Sequence, residues 1–276
     1  MTLRIDASEV AVSLPERPGR IVSLVPSVTE TLVLLGLAPA LVGRTDFCIH
    51  PTQLINICPP IGGTKNPRLD DIIALAPDLV LANREENRES DVRRLRQNGL
   101  VVWVDHPVTL EDSVEQVRRL AGLGADENRA ESVLTKMLDA LAHARHPRLK
   151  RPLRCFLAVW KDPWMTIGRD TYAHHLLEAV GLVNVFADES GHYPRIELDE
   201  LARREPEIVL LPDEPYRFTA ADAEAVRAGE LSESWAVRRG QVHLIDGRLP
   251  FWHGPRLGEA LGELGRIAAA AGGSFS

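Results

Sequence analysis

Apolar positions along the chain divide it into alternating strand-like and helix-like segments. Strand-like, largely apolar runs at 20–25, 40–43, 79–82 and 100–104 read as strands, while 88–97 and 110–123 carry apolar residues three and four apart, the spacing of one helix face. A helix also follows the first strand at Pro26, with Ser27 and Glu30 in the spacing of a capping box and Gly36 at its end. Strands alternating with helices predict a mainly parallel sheet. The same grammar restarts with a strand at 153–160 and a helix at 172–180, then continues through a helix at 220–228, a strand at 241–246 and a final helix over 254–271.

One passage occurs twice. LDDIIALAPDLVLA at 69–82 returns as LDELARREPEIVLL at 198–211, an offset of 198 − 69 = 129 residues without a gap. Leu69, Asp70, Pro77, Val80 and Leu81 recur as Leu198, Asp199, Pro206, Val209 and Leu210. Each copy reads as a short helix, a proline stop and a fully buried strand. Both strands run into polar loops, Asn83-Arg84-Glu85-Glu86-Asn87 and Asp213-Glu214-Pro215-Tyr216. Ligands of open α/β sheets bind at that carboxyl end.

Between the copies, Ala130, Val133, Leu134, Met137, Leu138 and Leu141 share one helix face across 126–146, with no glycine or proline before Pro147. At ~1.5 Å per residue that helix spans on the order of 30 Å, and it predicts a rigid connector. The expected organisation is an N-terminal α/β lobe at 1–124, a connecting helix at 125–147 and a C-terminal α/β lobe at 148–276.

Composition narrows the function classes. The chain has 276 residues, more than the roughly 100–150 of a typical single domain, so two lobes can each bury a core. A net charge of −7 and the lack of a Lys/Arg stripe with interleaved aromatics exclude a nucleic-acid partner and disfavour an anionic membrane surface. No apolar run approaches the ~20 residues of a membrane span, so the chain is expected not to be membrane-embedded. The start, MTLRIDASEVAVSLPERPGR, has acids where a signal peptide needs an apolar core. As the sequence stands the expected location is cytoplasmic; a trimmed signal or a mis-set start would make it periplasmic. Cys48, Cys58 and Cys155 are an odd set that suits reduced thiols, with a Cys48–Cys58 bridge left open. A monomer is expected.

Three passages carry a family resemblance: RIVSLVPSVTETLVLLGL at 20–37, GGTKNPRLDDIIALAPDLV at 62–80 and FWHGPRLGEAL at 251–261. With two βαβ lobes joined by one long helix, they resemble the helical-backbone metal receptor class, the substrate-binding proteins of cobalamin and iron-siderophore uptake by ABC transporters. The resemblance spans residues 20–270. It implies the class III periplasmic-binding-protein fold: two Rossmann-like α/β lobes with mainly parallel sheets joined by one long backbone helix. Reversible binding of a metal chelate in an inter-lobe cleft is the implied activity.

The resemblance also places ligand contacts on the loop at Asp46-Phe47, on Thr64-Lys65, on 160–164 and on 249–252. Family members stack large aromatics on corrin or catechol groups there, and this chain offers Phe47, Trp160, Trp164, Tyr216, Phe251 and Trp252. Thr64 departs from the aromatic that cobalamin-binding members carry. Lys65, Asn83, Glu85, Glu86 and Glu214 supply the polar contacts. Family members dock on a permease dimer through one acid per lobe, and those positions fall on Asp70 and Asp199. An acid in a first helical turn also favours the helix dipole without any partner.

Candidate metal chemistry centres on Cys48 and His50, two apart in a loop, where extended alternation would point both side chains the same way. With His253 and the carboxylates Glu85, Glu86 and Glu214 they would make a thiolate/imidazole/carboxylate site for zinc, cobalt or iron. A buried small cysteine and a hydrogen-bonded histidine before a proline is the plainer alternative, and His50 or His253 as an axial ligand to a chelated metal is a third. His174 and His175, adjacent on a predicted helix, diverge by about 100° and are not expected to share an ion. His192 and Tyr193 lie in a Gly/Pro loop. Arg84 and Arg256 suit either ligand carboxylates or solvent.

No Gly-rich phosphate loop, GxSxG elbow or HExxH is present, so no enzyme is expected. The expected function is binding of a metal chelate for uptake, a corrinoid such as cobalamin ahead of a ferric siderophore or haem, with no covalent cofactor. An anionic catecholate would want a more basic rim than Lys65, Arg84 and Arg256 provide against Glu85, Glu86, Asp213 and Glu214. The alternative of another class is a cytoplasmic metal-handling or chelatase-like protein using Cys48, His50 and His253.

Overall fold

A computed structural model describes residues 2–52, 58–144 and 149–272. The chain forms two compact units, one of Met1–Pro107, Glu111–Met137 and His253–Pro255, the other of Val108–Leu110, Leu138–Trp252 and Arg256–Ser276.

The first unit opens with an antiparallel hairpin of β1 (Thr2–Ile5) and β2 (Ala11–Leu14), absent from the sequence-based expectation. Asp6 ties the hairpin to the sheet that follows, accepting from the Val104 N–H at 3.0 Å and from Arg96 at 2.5 Å. Then come β3 (Ile21–Ser23), α1 (Pro26–Leu34), β4 (Leu41–Arg44), α2 (Leu69–Ala74), β5 (Leu79–Asn83), α3 (Glu89–Gln97), β6 (Val102–Asp105) and α4 (Leu110–Ala121). The apolar runs become four parallel strands in the order β4-β3-β5-β6, buried on both faces as helix-covered sheets require. Leu24, Ile61, Ile72, Val80, Leu95 and Val104 are among the core residues.

The capping box at Ser27 and Glu30 does not form. Pro26 takes the first helical position, so the cap falls on Val25, which has no side-chain acceptor, and Ser27 is buried inside the first turn. The helix ends as expected: Gly36, at φ 83°, lets its own N–H reach the Val33 carbonyl and the Leu37 N–H reach that of Leu32.

Helix α5 (Glu127–Ala144) realises the apolar face only in part: Met137 and Leu141 are buried, Ala130, Val133 and Leu134 are half-buried, and Leu138 is exposed; the predicted end at His146 and Pro147 lies outside the described residues. The second unit continues with β7 (Leu153–Trp160), β8 (Met165–Thr166), α6 (Tyr172–Ala179), β9 (Leu182–Asn184), α7 (Leu198–Arg203), β10 (Ile208–Pro212), α8 (Ala220–Ala228), α9 (Trp235–Arg238), β11 (Val242–Ile245), α10 (Arg248–Phe251) and α11 (Leu257–Gly272). Its parallel strands run β9-β7-β10-β11, with β8 added antiparallel to the end of β7. Matched strand for strand, this is the order of the first sheet.

The sequence repeat is a repeated joint. Ala76 and Glu205, equivalent positions just before the prolines, both adopt left-handed backbone, at φ 42° and φ 45°. In the first unit Arg20 donates to the Leu75 carbonyl while Asp78 accepts the Arg20 N–H at 2.9 Å. In the second, Arg154 donates to the Arg204 carbonyl while Glu207 accepts the Arg154 N–H at 3.0 Å. The chain turns sharply out of a short helix, and an acid pins the start of the neighbouring strand.

Candidate functional site

Because the four strands of the first sheet are parallel, the residues that follow them collect at one edge. Ser27 comes after β3, Phe47 and Cys48 after β4, Glu85 and Glu86 after β5, and His106 after β6. Phe47 is 60% exposed, its ring beside Gly63, where an added Cβ would stand 3.3 Å from the ring edge. Lys65 donates to the Glu85 carbonyl, tying two of these loops together. The Glu85 carboxylate lies 3.4 Å from Nε2 of His106.

His253 belongs to the same unit and is buried, with Nδ1 3.4 Å from the Ser27 hydroxyl. Burial pushes its pKa down to about 4, with Glu85 pulling the other way and His106 adding to the fall. The ring is therefore neutral at neutral pH.

Two sequence-based assignments on this edge are corrected. Asn83 is buried, and its side-chain oxygen accepts the N–H groups of Glu85 at 2.7 Å and Glu86 at 3.2 Å. It shapes the loop instead of facing a ligand, with Asn87 reaching from that loop to the carbonyls of Leu24 and Thr64. Cys48 and His50 do not make a joint metal site. The Cys48 sulfur is fully buried between the hydroxyls of Thr29 at 3.0 Å and Thr45 at 3.1 Å, and burial raises its pKa. Among the described residues, the donor atoms of Cys48, His50 and His253 do not lie within 4.8 Å of one another. Cys48, Cys58 and Cys155 are free thiols, so no Cys48–Cys58 bridge forms.

The second unit has its own edge. Trp160, at the end of β7, is 42% exposed and meets Tyr216 edge-on, with ring centroids 5.5 Å apart. Tyr216 packs on Phe218 at 4.7 Å, and Phe218 stacks with Trp164 at 5.6 Å. Trp164 leans on the core through Phe156, so it braces the Trp160–Tyr216 pair more than it presents a face of its own.

Trp252 is a further correction. It is 8% exposed; its side chain hydrogen-bonds to Glu214 and the Arg256 guanidinium sits 5.5 Å over its ring. Burial raises the Glu214 pKa, the Trp252 bond opposes that, and Asp213 and Asp246 add to the rise. Phe251 ends α10 half-buried.

Asp70 and Asp199 occupy the same exposed position in the first turns of α2 and α7. Each is held at 2.7 Å by an arginine of its own unit, Arg94 and Arg203 respectively. Among the described residues no helix is long and apolar enough to cross a membrane.

A family model described as periplasmic binding protein matches residues 21–249 of the chain. The chain belongs to the periplasmic binding protein family. The vitamin B12-binding protein of Salmonella typhimurium (strain LT2) is 30% identical over 195 residues, covering 70% of this chain and 71% of that protein. An uncharacterized ABC transporter substrate-binding lipoprotein of Bacillus subtilis (strain 168) is 27% identical over 268 residues, 94% of this chain and 82% of its own length. Among solved structures, the periplasmic vitamin B12 binding protein of Vibrio cholerae superposes with a TM-score of 0.79 at 21% identity, covering 93% of this chain and 99% of that one. The periplasmic heme-binding protein of Roseiflexus sp. RS-1 gives 0.79 at 22%, covering 92% and 98%. These likenesses show the fold, two α/β lobes of the class III type.

In this periplasmic binding protein the residue that sequence reasoning missed is His106. It directly follows a parallel strand and precedes Pro107, just as Glu85 follows β5, so applying the strand-end rule to β6 as well as β5 would have found it.

Proposed function

We propose that this binding protein takes a metal chelate, a corrinoid in the first instance, and delivers it to an ABC-transporter permease. The observation that carries the reading is the 30% identity to the Salmonella vitamin B12-binding protein over 70% of the chain. The chemistry of the two edges supports it. Phe47 in the first unit and Trp160 in the second each carry exposed aromatic surface of the kind that packs on a macrocycle, while Glu85 and Glu86 suit the amide-rich periphery of a corrinoid better than an anionic catecholate. Binding, not catalysis, is the activity we assign.

We further assign Asp70 and Asp199 to docking, since both are exposed acids at equivalent places in the two lobes. Each already holds an arginine of its own unit, so a permease arginine would exchange one charged partner for another. Delivery to a permease places the protein's work outside the cytoplasmic membrane.

A haem receptor is the second reading, favoured by His106, whose imidazole is the type of ligand a haem iron takes. Tryptophan-fluorescence titration with cyanocobalamin, haemin, a ferric catecholate and free Co²⁺ separates the two. Saturable quenching by cyanocobalamin supports the corrinoid reading. Quenching by haemin with silence towards cyanocobalamin transfers the assignment to haem, and silence towards every chelate removes both.

A further inference from the structure

On α6 of the second unit, two neighbouring histidines and a glutamate gather donor atoms within reach of one another. His174 and Glu178 are one helical turn apart and share a face, with Nε2 of His174 3.4 Å from Oε1 of Glu178. His175 is adjacent in sequence, and consecutive helical residues start about 100° apart. Their rings nevertheless turn towards each other, with centroids 5.3 Å apart and planes at 73°. One donor atom from each of His174, His175 and Glu178 lies within 4.8 Å of the other two. The sequence-based objection to a shared ion is thereby removed.

A second observation points to a ligand. Among the described residues, Nδ1 of His174 and Nδ1 of His175 are both buried and have no hydrogen-bond partner. A buried polar nitrogen left unpaired costs on the order of 1–3 kcal/mol, so proteins rarely keep two side by side without a use for them. A coordinated metal ion partners a ring nitrogen and fixes the orientation of the whole ring.

We propose that His174, His175 and Glu178 form a binding site for a divalent transition-metal ion, Zn²⁺ being the best match. Two imidazoles and a carboxylate are a ligand set that zinc takes in sites with a fourth, open position for water. Zn–N and Zn–O bonds of about 2.0–2.2 Å require the donors to draw together from their present spacing, and Glu178 is exposed and His175 half-buried, so theirs are the side chains with room to adjust. His174, at 9% side-chain exposure, is held in place by the packing around it. Thr171 anchors the arrangement by capping the helix at the His174 N–H. The site is separate from the edge residues assigned to the chelate and does not depend on that assignment.

Calorimetric titration of EDTA-treated protein with Zn²⁺ tests the proposal, using wild type, His175→Ala and Glu178→Gln. These positions are not fully buried, and the thermal melt of each variant without metal verifies that it folds. The wild type is expected to bind one Zn²⁺ per chain and to gain in Tm when zinc is added. Each substitution is expected to weaken binding by at least about tenfold and to abolish most of the Tm gain. Absence of zinc binding by the wild type, or unchanged affinity in either variant, overturns the site.

Discussion

Replacing His253 by Asn should make the protein less sensitive to acid. The folded pKa of His253 is about 4, held down mainly by burial, against an ordinary 6.5 in the unfolded chain. Between those values the unfolded state binds more protons than the folded state, so stability falls as pH falls. The contribution of the neutral ring is complete above pH 6.5 and is lost progressively down to pH 4. For these two values the loss between pH 7 and pH 5 is about 2 kcal/mol, rising to about 3 kcal/mol below pH 4. Urea unfolding of wild type and His253→Asn at pH 7 and pH 5 measures it. Asn keeps a polar group for the Ser27 hydroxyl and does not titrate. His174 and His243, whose pKa values burial also lowers, are present in both proteins and cancel in the comparison. The wild type should lose about 2 kcal/mol more than the variant. Losses that agree within about 0.5 kcal/mol would refute a neutral, desolvated His253.

Other outcomes follow from the same geometry. Ellman's reagent should leave native protein unlabelled and detect three thiols after unfolding, since Cys48, Cys58 and Cys155 are all buried and burial raises the Cys58 pKa to about 11; rapid native labelling of Cys48 would revive a reactive thiol. Ala76→Gly and Glu205→Gly should each raise the melting temperature, corresponding to about 0.5–1 kcal/mol, because the left-handed backbone there suits glycine; a lowered melting temperature would contradict the repeated joint. Gly168→Ala should destabilise by about 1–3 kcal/mol in a denaturant melt, as its Cβ would come 2.0 Å from the Gly191 carbonyl oxygen. Asp70→Ala and Asp199→Ala should leave ligand affinity intact while weakening binding to permease-containing vesicles, and unimpaired vesicle binding by the double variant would remove both acids from docking.

The parallel sheets were legible because strands buried on both faces produce unbroken apolar runs, and β7 and α8 fall at the predicted residues. The N-terminal hairpin was not, since its alternation places Leu3 and Ile5 on the exposed side at 71% and 74% and so carries no signal of burial. Ser27 and Glu30 matched a capping box in spacing, but Pro26 decides where a helix begins by its fixed backbone angle. At the candidate site, position relative to strand ends was readable and side-chain direction was not. Phe47 and Trp160 are exposed in the segments to which the family resemblance assigned ligand contacts. Asn83 turned inward because an asparagine at a strand end can accept the backbone N–H groups two and three residues on. Trp252 turned inward because Glu214, distant in sequence, offers its side chain a hydrogen-bond partner.

Calorimetric titration of cyanocobalamin into the wild type and Trp160→Ala addresses the central claim most directly. One saturable site per chain, weakened about tenfold or more when the exposed aromatic is removed, is the predicted result. No heat of binding in the wild type, under conditions where thermal melts show it folded, would contradict a corrinoid receptor.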